Sequence, residues 1–340
     1  MPKTYNRLFD EIVDFENLYR AYIKARRCKR YNPEVLRFSS KLEDELLAIQ
    51  DKLLGGTYKT GNYYRFVIYE PKKREIAALP FRDRVVHHAL CNVIEPLFER
   101  KFVHDSYGCR VRKGTHAGSD RLVEFLRRAQ RTWGKVFCLK GDIEKFFPSV
   151  HHEALKGIVR RTIRCKQTLN LIDGIIDSTP ESKGMPIGNL TSQLFANVYL
   201  NELDHFAKEK LRVRFYVRYM DDFILLYPEK ERLHEWHESI AMFLHERLRL
   251  NLNSKTSIFP ISRGVDFLGY RAWVTHRLLR KRSIIGMRRK LNALAERYGT
   301  GEISLDTVQP VIASWLGHAK HANSYNVRKK LLGSVVFKRL

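Results

Sequence analysis

The stretch RFYVRYMDDFILLY, residues 214–227, places two adjacent acids between two apolar, aromatic runs. Aromatic and β-branched residues favour strands and Asp is common in turns, so the stretch predicts a hairpin with Asp221 and Asp222 at its turn. A third acid, Asp142, ends the apolar run KVFCLKGD at residues 135–142, which predicts a buried strand. Three carboxylates are therefore expected at the ends of apolar strands.

These carboxylates need cations, because burying unpaired charge is costly. Arg218 is placed to neutralise one of them, and a divalent metal would serve all three better. Mg²⁺ takes one or two carboxylates together with phosphate oxygens and water. Two such ions, ~3.5–4 Å apart, activate a hydroxyl nucleophile and stabilise a leaving pyrophosphate. The acids thus favour phosphoryl transfer, although the acid pair taken alone is equally typical of a plain hairpin turn.

The chain carries 62 Lys and Arg against 37 Asp and Glu, a formal net charge of +25 over 340 residues. Such an excess indicates a polyanionic partner, either a nucleic acid or an anionic membrane. Since no apolar run approaches the length of a membrane span and the first twenty residues are charged throughout, a nucleic acid is favoured and no membrane is expected. The five cysteines lack CxxC spacing, which predicts reduced thiols in a cytoplasmic protein without structural zinc.

Helical periodicity is clearest near the two ends of the chain. Ser40 and Glu43 predict a capping box for a helix that ends at Gly55. N-terminal to that helix, one continuous helical face is predicted, formed by Leu8, Ile12, Phe15, Tyr19 and Tyr22. Strands are predicted over 63–70 and within 265–270. Further helices are predicted from near Asp83, from near His152, and over 190–206, 233–248, 287–298 and 305–319.

With the acids placed, the chain resembles the reverse transcriptases over most of its length, because several sequence blocks occur in that family's order. Two fingers blocks correspond to residues 70–90 and 104–116. The palm motifs A, B, C and D correspond to GDIEKFFPSV (141–150), GMPIGNLTSQ (184–193), YMDD (219–222) and LNLNSKTSIF (250–259), and the primer grip corresponds to VDFLGY (265–270).

The resemblance implies an α+β right-hand polymerase, with fingers, a palm that contains an antiparallel sheet, and a helical thumb. A helical N-terminal extension would precede these parts. The implied boundaries are 1–60 for the extension, 61–134 for the fingers, 135–275 for the palm with fingers helices inserted at about 152–185, and 276–340 for the thumb.

Motif B departs from the common pattern, which has a glutamine before its glycine and a proline after its serine. Here Ile187 precedes Gly188, and Gln193 follows Ser192. This form resembles the reverse transcriptases of diversity-generating retroelements, as do KGTHAG (113–118), SRGVDFLGYR (262–271) and ASWLGHA (313–319).

Membership of that subfamily would imply a prokaryotic or phage-encoded enzyme that copies a template-repeat RNA into cDNA with frequent errors opposite adenine. The cDNA would then replace a variable repeat in a target gene. The implied partners are the template-repeat RNA, the RNA/cDNA duplex, dNTPs, and a small basic helical accessory protein that assembles as a ring.

The resemblance also implies roles for single residues. Asp142 and Asp221 would hold two Mg²⁺ ions, or alternatively Mn²⁺, helped by the backbone carbonyl of Ile143. Asp222 would complete the acidic site. Lys255 would protonate the leaving pyrophosphate as a general acid.

In the nucleotide site, Lys72 and Arg74 would hold the triphosphate, with the register between Lys72 and Lys73 left open. Phe147 would exclude a 2′-hydroxyl and so select dNTPs, unless it is a core aromatic. Ile187 cannot form the hydrogen bond of a glutamine and would lower fidelity. Gly188 is the next nucleotide-site residue. Gln193 and Arg110 would contact either the nucleotide or the template strand, and Arg110 is otherwise a surface arginine. The primer grip would be Phe267, Leu268 and Gly269, with core packing as the alternative for Phe267 and Leu268.

Two other functions stay open. One is another prokaryotic reverse transcriptase, of the phage-defence or retron type. The second is a catalytically idle palm that serves as an RNA-binding scaffold, which the intact acids disfavour. Basic clusters at 24–30, 277–290 and 328–338 are candidate surfaces for RNA or a partner.

Overall fold

The computed structural model describes residues 4–69, 73–179 and 181–339. The strands are β1 (Tyr64–Ile68), β2 (Arg74–Ala78), β3 (Phe137–Asp142), β4 (Phe215–Tyr219), β5 (Asp222–Tyr227), β6 (Ser257–Pro260), β7 (Val265–Phe267), β8 (Tyr270–Ala272) and β9 (Arg277–Leu279). The helices are α1 (Phe9–Val13), α2 (Phe15–Ala25), α3 (Pro33–Ser40), α4 (Leu42–Leu54), α5 (Phe81–Glu99), α6 (Thr115–Trp133), α7 (Phe146–Ser149), α8 (His152–Arg160), α9 (Lys166–Ile176), α10 (Leu190–His205), α11 (Lys230–Leu248), α12 (Lys281–Gly299), α13 (Leu305–Ala319) and α14 (Tyr325–Leu332).

A four-stranded antiparallel sheet with strand order β4-β5-β3-β6 forms the centre of the fold. Both of its faces are buried, which explains why its strands read as continuous apolar runs rather than alternating ones. Leu139, Tyr216 and Phe223 point into the larger core, shared with α10 and α11. Their neighbours along the strands point to the opposite face, where a second core includes Leu126 of α6.

The remaining elements pack around this sheet. Helices α1 to α5 contribute their buried side chains to the larger core, so the N-terminal helices are continuous with it. Strands β1 and β2 form a separate hairpin, and β7, β8 and β9 form a small antiparallel sheet. Helices α12, α13 and α14 enclose small apolar clusters of their own. None of the helices within the described ranges is both long and apolar enough to span a membrane.

The predicted continuous helical face near the N-terminus is wrong. The chain leaves the helical conformation at Asp14, which separates α1 from α2, and the Asp14 carboxylate accepts a 3.0 Å hydrogen bond from the Asn17 amide. This N-terminal cap restarts the helix in a new phase. As a result Phe15 and Tyr19, predicted on the apolar face, are 38% and 44% exposed.

The predicted capping box at Ser40 is also wrong. Ser40 is the last residue of α3, and its hydroxyl donates to the Arg37 carbonyl at 2.9 Å. Helix α4 begins at Leu42, and no side chain caps its N-terminus. The other predicted helices and strands are present, with ends shifted by a few residues. The predicted domain boundaries stay predictions.

Candidate active site

Three acids meet at one end of the central sheet. The antiparallel register pairs Asp142, the last residue of β3, with Asp222, the first residue of β5. Paired Cα atoms in such a ladder lie roughly 4.5–5.5 Å apart. Asp222 is also paired with Tyr219 of β4, so Met220 and Asp221 form the turn between them. The predicted hairpin with the acid pair at its turn is confirmed.

The pKa of Asp221 is shifted by its surroundings in the site. Burial raises the pKa of the Asp221 carboxyl to about 6, and the charges of Asp222 and Asp142 act in the same direction. A backbone hydrogen bond and the charge of Arg74 oppose this rise in the pKa. Like charges and burial each disfavour an ionised carboxylate. This corner of the sheet therefore concentrates negative charge that a bound cation would relieve.

The acids fit Mg²⁺ as an open site. Within the described residues, no three His, Cys, Asp or Glu side chains are arranged as a ready metal cage. Mg²⁺ does not require such a cage, because it keeps several waters and is held by one or two carboxylates plus phosphate oxygens. Asp142, Asp221 and Asp222 would supply the carboxylates. Ile143, whose carbonyl was predicted to assist, is buried and forms a β-bridge with Leu252.

The segment before β6 runs along Asp142. The Asn253 amide donates to the Asp142 carbonyl at 2.7 Å, and the Asp142 amide donates to the Thr256 hydroxyl at 3.4 Å. Lys255 lies between these two residues and is exposed. The structure thus brings Lys255 to the acidic end of the sheet, while its role as a general acid stays a prediction.

The β1–β2 hairpin reaches the site through motif B. The Ala77 amide of β2 donates to the Ile187 carbonyl at 2.9 Å. Gly188 follows with φ +133°, and a Cβ built on it would lie 2.8 Å from the Ala77 carbonyl oxygen. Because the hairpin is held this closely, Arg74 is near enough for its charge to lower the pKa of Asp221. Lys72, the other predicted triphosphate ligand, lies outside the described residues.

Two further predicted residues belong to motif B or contact it. Phe147 is half-buried on the short helix α7, and its carbonyl accepts a 2.8 Å hydrogen bond from the Met185 amide at the start of motif B. Gln193 is exposed on the first turn of α10. Their predicted contacts with a nucleotide stay predictions.

The Arg110 side chain is held inside the fold by hydrogen bonds to other protein groups. Its guanidinium bonds to the Glu99 carboxylate at 2.6 Å and to the carbonyls of Val103 and Ser106 at 2.8 and 2.7 Å. The side chain is only 6% exposed, so the alternative of a surface arginine is wrong. Nε, Nη1 and Nη2 of Arg110 thus already donate to protein acceptors, and the predicted contact of Arg110 with a nucleotide stays a prediction.

The predicted primer-grip residues divide between core and turn. Phe267 is 1% exposed and packs in the second core, as the core-packing alternative expected. Leu268 and Gly269 form the turn between β7 and β8, both with positive φ, and the Leu268 side chain is partly buried against the second core, as its core-packing alternative expected. That turn lies against Gly118 of α6 and His318 at the end of α13. The predicted contact with a primer would therefore be made by the turn.

Arg218 does not neutralise the acid pair, contrary to the sequence-based expectation. Its Nε and Nη2 donate to the two carboxylate oxygens of Asp204 at 2.6 and 2.5 Å, and both side chains are fully buried. Its Nη1 donates to the Met220 carbonyl at 3.1 Å. The sequence reasoning missed Asp204, although an acid on the buried side of an apolar helix was a usable signal.

Comparisons with known proteins agree with this geometry. The family model described as "Reverse transcriptase (RNA-dependent DNA polymerase)" matches residues 65–272, a range that includes all three acids. Protein YkfC of Escherichia coli is 29% identical over 302 residues, which cover 76% of this chain and 77% of that protein. The group II intron-encoded protein LtrA of Lactococcus lactis is 24% identical over 329 residues, covering 75% of this chain and 54% of LtrA. The chain thus spans about half the length of LtrA.

Solved structures with a similar fold include two telomerases. That of Candida albicans, in complex with a fragment of telomeric RNA, gives a TM-score of 0.50 at 12% identity and covers 83% of this chain and 56% of its own. That of Candida tropicalis gives 0.52 at 12% identity and covers 80% and 60%. At such identities the likeness concerns the fold alone, and it confirms the predicted α+β right-hand polymerase.

Proposed function

We propose that this chain, which belongs to the reverse transcriptase family, copies RNA into cDNA by two-metal nucleotidyl transfer at Asp142, Asp221 and Asp222. The observation that carries the proposal is the strand register that sets Asp142 opposite Asp222 with Asp221 at the adjoining turn. The basic surface, with a net charge of +25, suits an RNA template and its duplex with cDNA.

The chain's own residues would share the work of the reaction. Asp142 and Asp221 would hold the metal ions with help from the Ile143 carbonyl, and Asp222 would add negative charge. Bound Mg²⁺ supplies Lewis-acid neutralisation of the charge that develops on the reacting oxygens. Arg74 would bind the triphosphate of an incoming dNTP. Lys255 would give a proton to the leaving pyrophosphate.

Primer extension tests this proposal directly. Wild-type protein is incubated with a primed RNA, Mg²⁺ and dNTPs, with and without a small basic helical partner protein. We expect template-dependent incorporation, and replacing Mg²⁺ with Mn²⁺ tests the alternative ion. If no primed RNA is extended under any of these conditions, the chain is better explained as an RNA-binding scaffold.

More specifically, we propose that the enzyme belongs to a diversity-generating retroelement. It would copy a template-repeat RNA in the cytoplasm of a prokaryote, with errors opposite adenine, alongside an accessory protein assembled as a ring. The motif B residues Ile187 and Gln193 support this assignment. A template-repeat and variable-repeat pair beside the gene would be the expected genomic finding.

A second candidate is another prokaryotic reverse transcriptase. The matches to YkfC and to LtrA, a group II intron-encoded protein, favour this alternative. Sequencing of the cDNA separates the two candidates, because errors concentrated at template adenines are expected only from a diversity-generating enzyme. Errors spread evenly over the four template bases, with no repeat pair near the gene, would support the second candidate.

Replacing Ile187 with glutamine should lower the adenine error rate. Glutamine offers a hydrogen bond to the nascent base pair, which isoleucine cannot, and one net hydrogen bond of about 1 kcal/mol corresponds to about a fivefold change in discrimination. The measurement is the misincorporation frequency at each template adenine in sequenced cDNA. Ile187→Val, which stays apolar, is the control and should keep the wild-type error rate. An unchanged rate in Ile187→Gln would remove Ile187 as a source of low fidelity.

Replacing Gly188 with alanine should raise the KM for dNTPs by about tenfold, a cost of roughly 1.4 kcal/mol in nucleotide binding. An added Cβ would meet the Ala77 carbonyl oxygen at 2.8 Å, and φ at this position is +133°. The new side chain would push β2, and with it Arg74, away from the acids. Steady-state single-nucleotide incorporation measures the effect. Gly157→Ala on α8 is the control, because its added Cβ would meet no atom within 4 Å apart from its chain neighbours and the backbone of its own helix. Equal KM values for the two variants would refute the docking argument.

A further inference from the structure

We infer that Arg218 and Asp204 are positioning residues for the acidic turn, acting on metal binding by Asp221 and Asp222 through the backbone of Met220. This inference rests on the proposed function, since it concerns the same site. The pair lies beneath the turn, and the hydrogen bonds described for it lead to other groups than the three acids of the site.

Arg218 and Asp204 form a fully buried, bidentate ion pair, in which the guanidinium fork faces the carboxylate. Two nitrogens of Arg218 meet the two carboxylate oxygens of Asp204, and both side chains are 0% exposed. Tyr216 donates its hydroxyl to the same carboxylate at 2.8 Å. A bidentate guanidinium–carboxylate pair fixes direction as well as distance. The orientation of Arg218 relative to α10 is therefore determined by Asp204.

The remaining donors of Arg218 link two other segments. Nη2 donates to the Ser106 hydroxyl at 3.0 Å, in the loop before α6. Nη1 donates to the Met220 carbonyl at 3.1 Å and, more weakly, to the Asn197 side-chain oxygen at 3.4 Å. One guanidinium thus joins α10, the loop at residues 105–108 and the acidic turn.

Met220 needs this support because its backbone is unfavourable. Its φ is +53°, in the left-handed region that non-glycine residues rarely occupy. Such conformations persist only where the surroundings over-determine them. The Met220 side chain is 8% exposed and lies against Gly108, where an added Cβ would come within 2.6 Å of its Cγ and Sδ. The Asn197 side-chain amide donates to the Gly108 carbonyl at 2.8 Å, which holds Gly108 against the Met220 side chain.

The conformation of Met220 sets the direction in which the chain enters Asp221 and Asp222. If the carbonyl of Met220 loses its donor, the turn can relax to a conformation with negative φ, and the acid pair then rotates relative to Asp142. A lysine at position 218 keeps the positive charge, but a single ammonium cannot bridge Asp204, Ser106 and Met220 at once. The geometry of the fork, and not only its charge, is therefore required.

The test is Arg218→Lys, read by Mn²⁺ binding in electron paramagnetic resonance titrations and by nucleotide incorporation. We expect Mn²⁺ affinity and kcat each to fall about 10- to 100-fold, the range seen when groups that orient metal ligands are changed. The KM for dNTPs should stay within about twofold, because the nucleotide contacts are untouched. Amide hydrogen exchange at residues 219–223 of the metal-free protein should become faster. The control is Arg161→Lys, whose partner Glu202 also lies on α10 at 2.8 Å, and it should match the wild type.

A second variant guards against simple loss of folding. Arg218→Met combined with Asp204→Leu replaces the buried pair with apolar side chains, a change that proteins often tolerate without loss of stability. We expect a cooperative thermal transition together with weakened Mn²⁺ binding. A folded double variant that binds Mn²⁺ and incorporates nucleotides like the wild type would overturn the inference. Weakened Mn²⁺ binding in Arg218→Lys, in a protein whose wild type extends no primer, would support the positioning role while rejecting the proposed polymerase function.

Discussion

Asp221→Asn should lower nucleotide incorporation by at least about a thousandfold, because it removes a carboxylate that we propose binds a metal ion needed for charge neutralisation in the transition state. The same change should stabilise the metal-free protein at neutral pH. Burial and the neighbouring Asp222 and Asp142 raise the pKa of Asp221 to about 6, whereas the pKa of an aspartate in the unfolded chain is about 3.9. Ionising this acid therefore carries an electrostatic cost in the folded state.

The sign of the pH dependence follows from the raised pKa. Below about pH 4 Asp221 is protonated in both states, and its favourable contribution to folding is complete. That contribution is lost as the pH rises through about 6, where the folded carboxyl ionises. The asparagine of the variant carries no charge, so the variant should be more stable than the wild type by on the order of 2 kcal/mol at pH 7 and nearly equal to it at pH 4.

The stability difference is measured by urea unfolding in EDTA at several pH values. The loss of activity is measured by single-nucleotide incorporation in Mg²⁺. Asp306→Asn, an exposed acid in the first turn of α13, is the matched control and should alter neither quantity by much. Incorporation by Asp221→Asn above about a tenth of the wild-type rate would contradict the two-metal assignment. Equal stability differences at pH 4 and pH 7 would contradict the electrostatic account of Asp221.

Phe147→Ala should admit ribonucleotides. Phe147 follows Asp142 by five residues and is half-buried on α7, which motif B contacts through the Met185 amide. If its ring abuts the sugar, truncation opens space for a 2′-hydroxyl. Steric exclusion of a group of this size is worth about 10- to 100-fold in kcat/KM, and we expect the upper end because the whole ring is removed.

The measurement is the ratio of kcat/KM for a dNTP to that for the matching rNTP, on one primed RNA. Phe147→Tyr keeps the ring and is the control, for which the wild-type ratio is expected. An unchanged ratio in Phe147→Ala, in protein that melts at a lower temperature, would assign Phe147 to the core. The ring of Phe146 lies 5.5 Å away, so some loss of stability is expected in either case.

Local patterns predicted most of the fold because the strongest elements carry their own signals. The apolar run before Asp142 and the hairpin around Asp221 and Asp222 form as expected. Helix α6 was missed, because charged residues interrupt its buried side chains, which have helical spacing and include Leu122, Phe125, Leu126 and Ala129. The break at Asp14 was missed for a different reason, since the apolar spacing runs through an N-terminal cap that restarts the helix.

The sequence by itself determined which acids form the site, because Asp142, Asp221 and Asp222 stand at strand ends that local residue preferences specify. It also determined the order of blocks that identifies the family. Only the tertiary structure decided the partners of the arginines: Arg218 binds Asp204, fourteen residues earlier, and Arg110 binds Glu99. An arginine has a long, flexible side chain with several donors, so its partner depends on which acceptors the folded chain buries beside it. The spacing of residues along the chain does not contain that information.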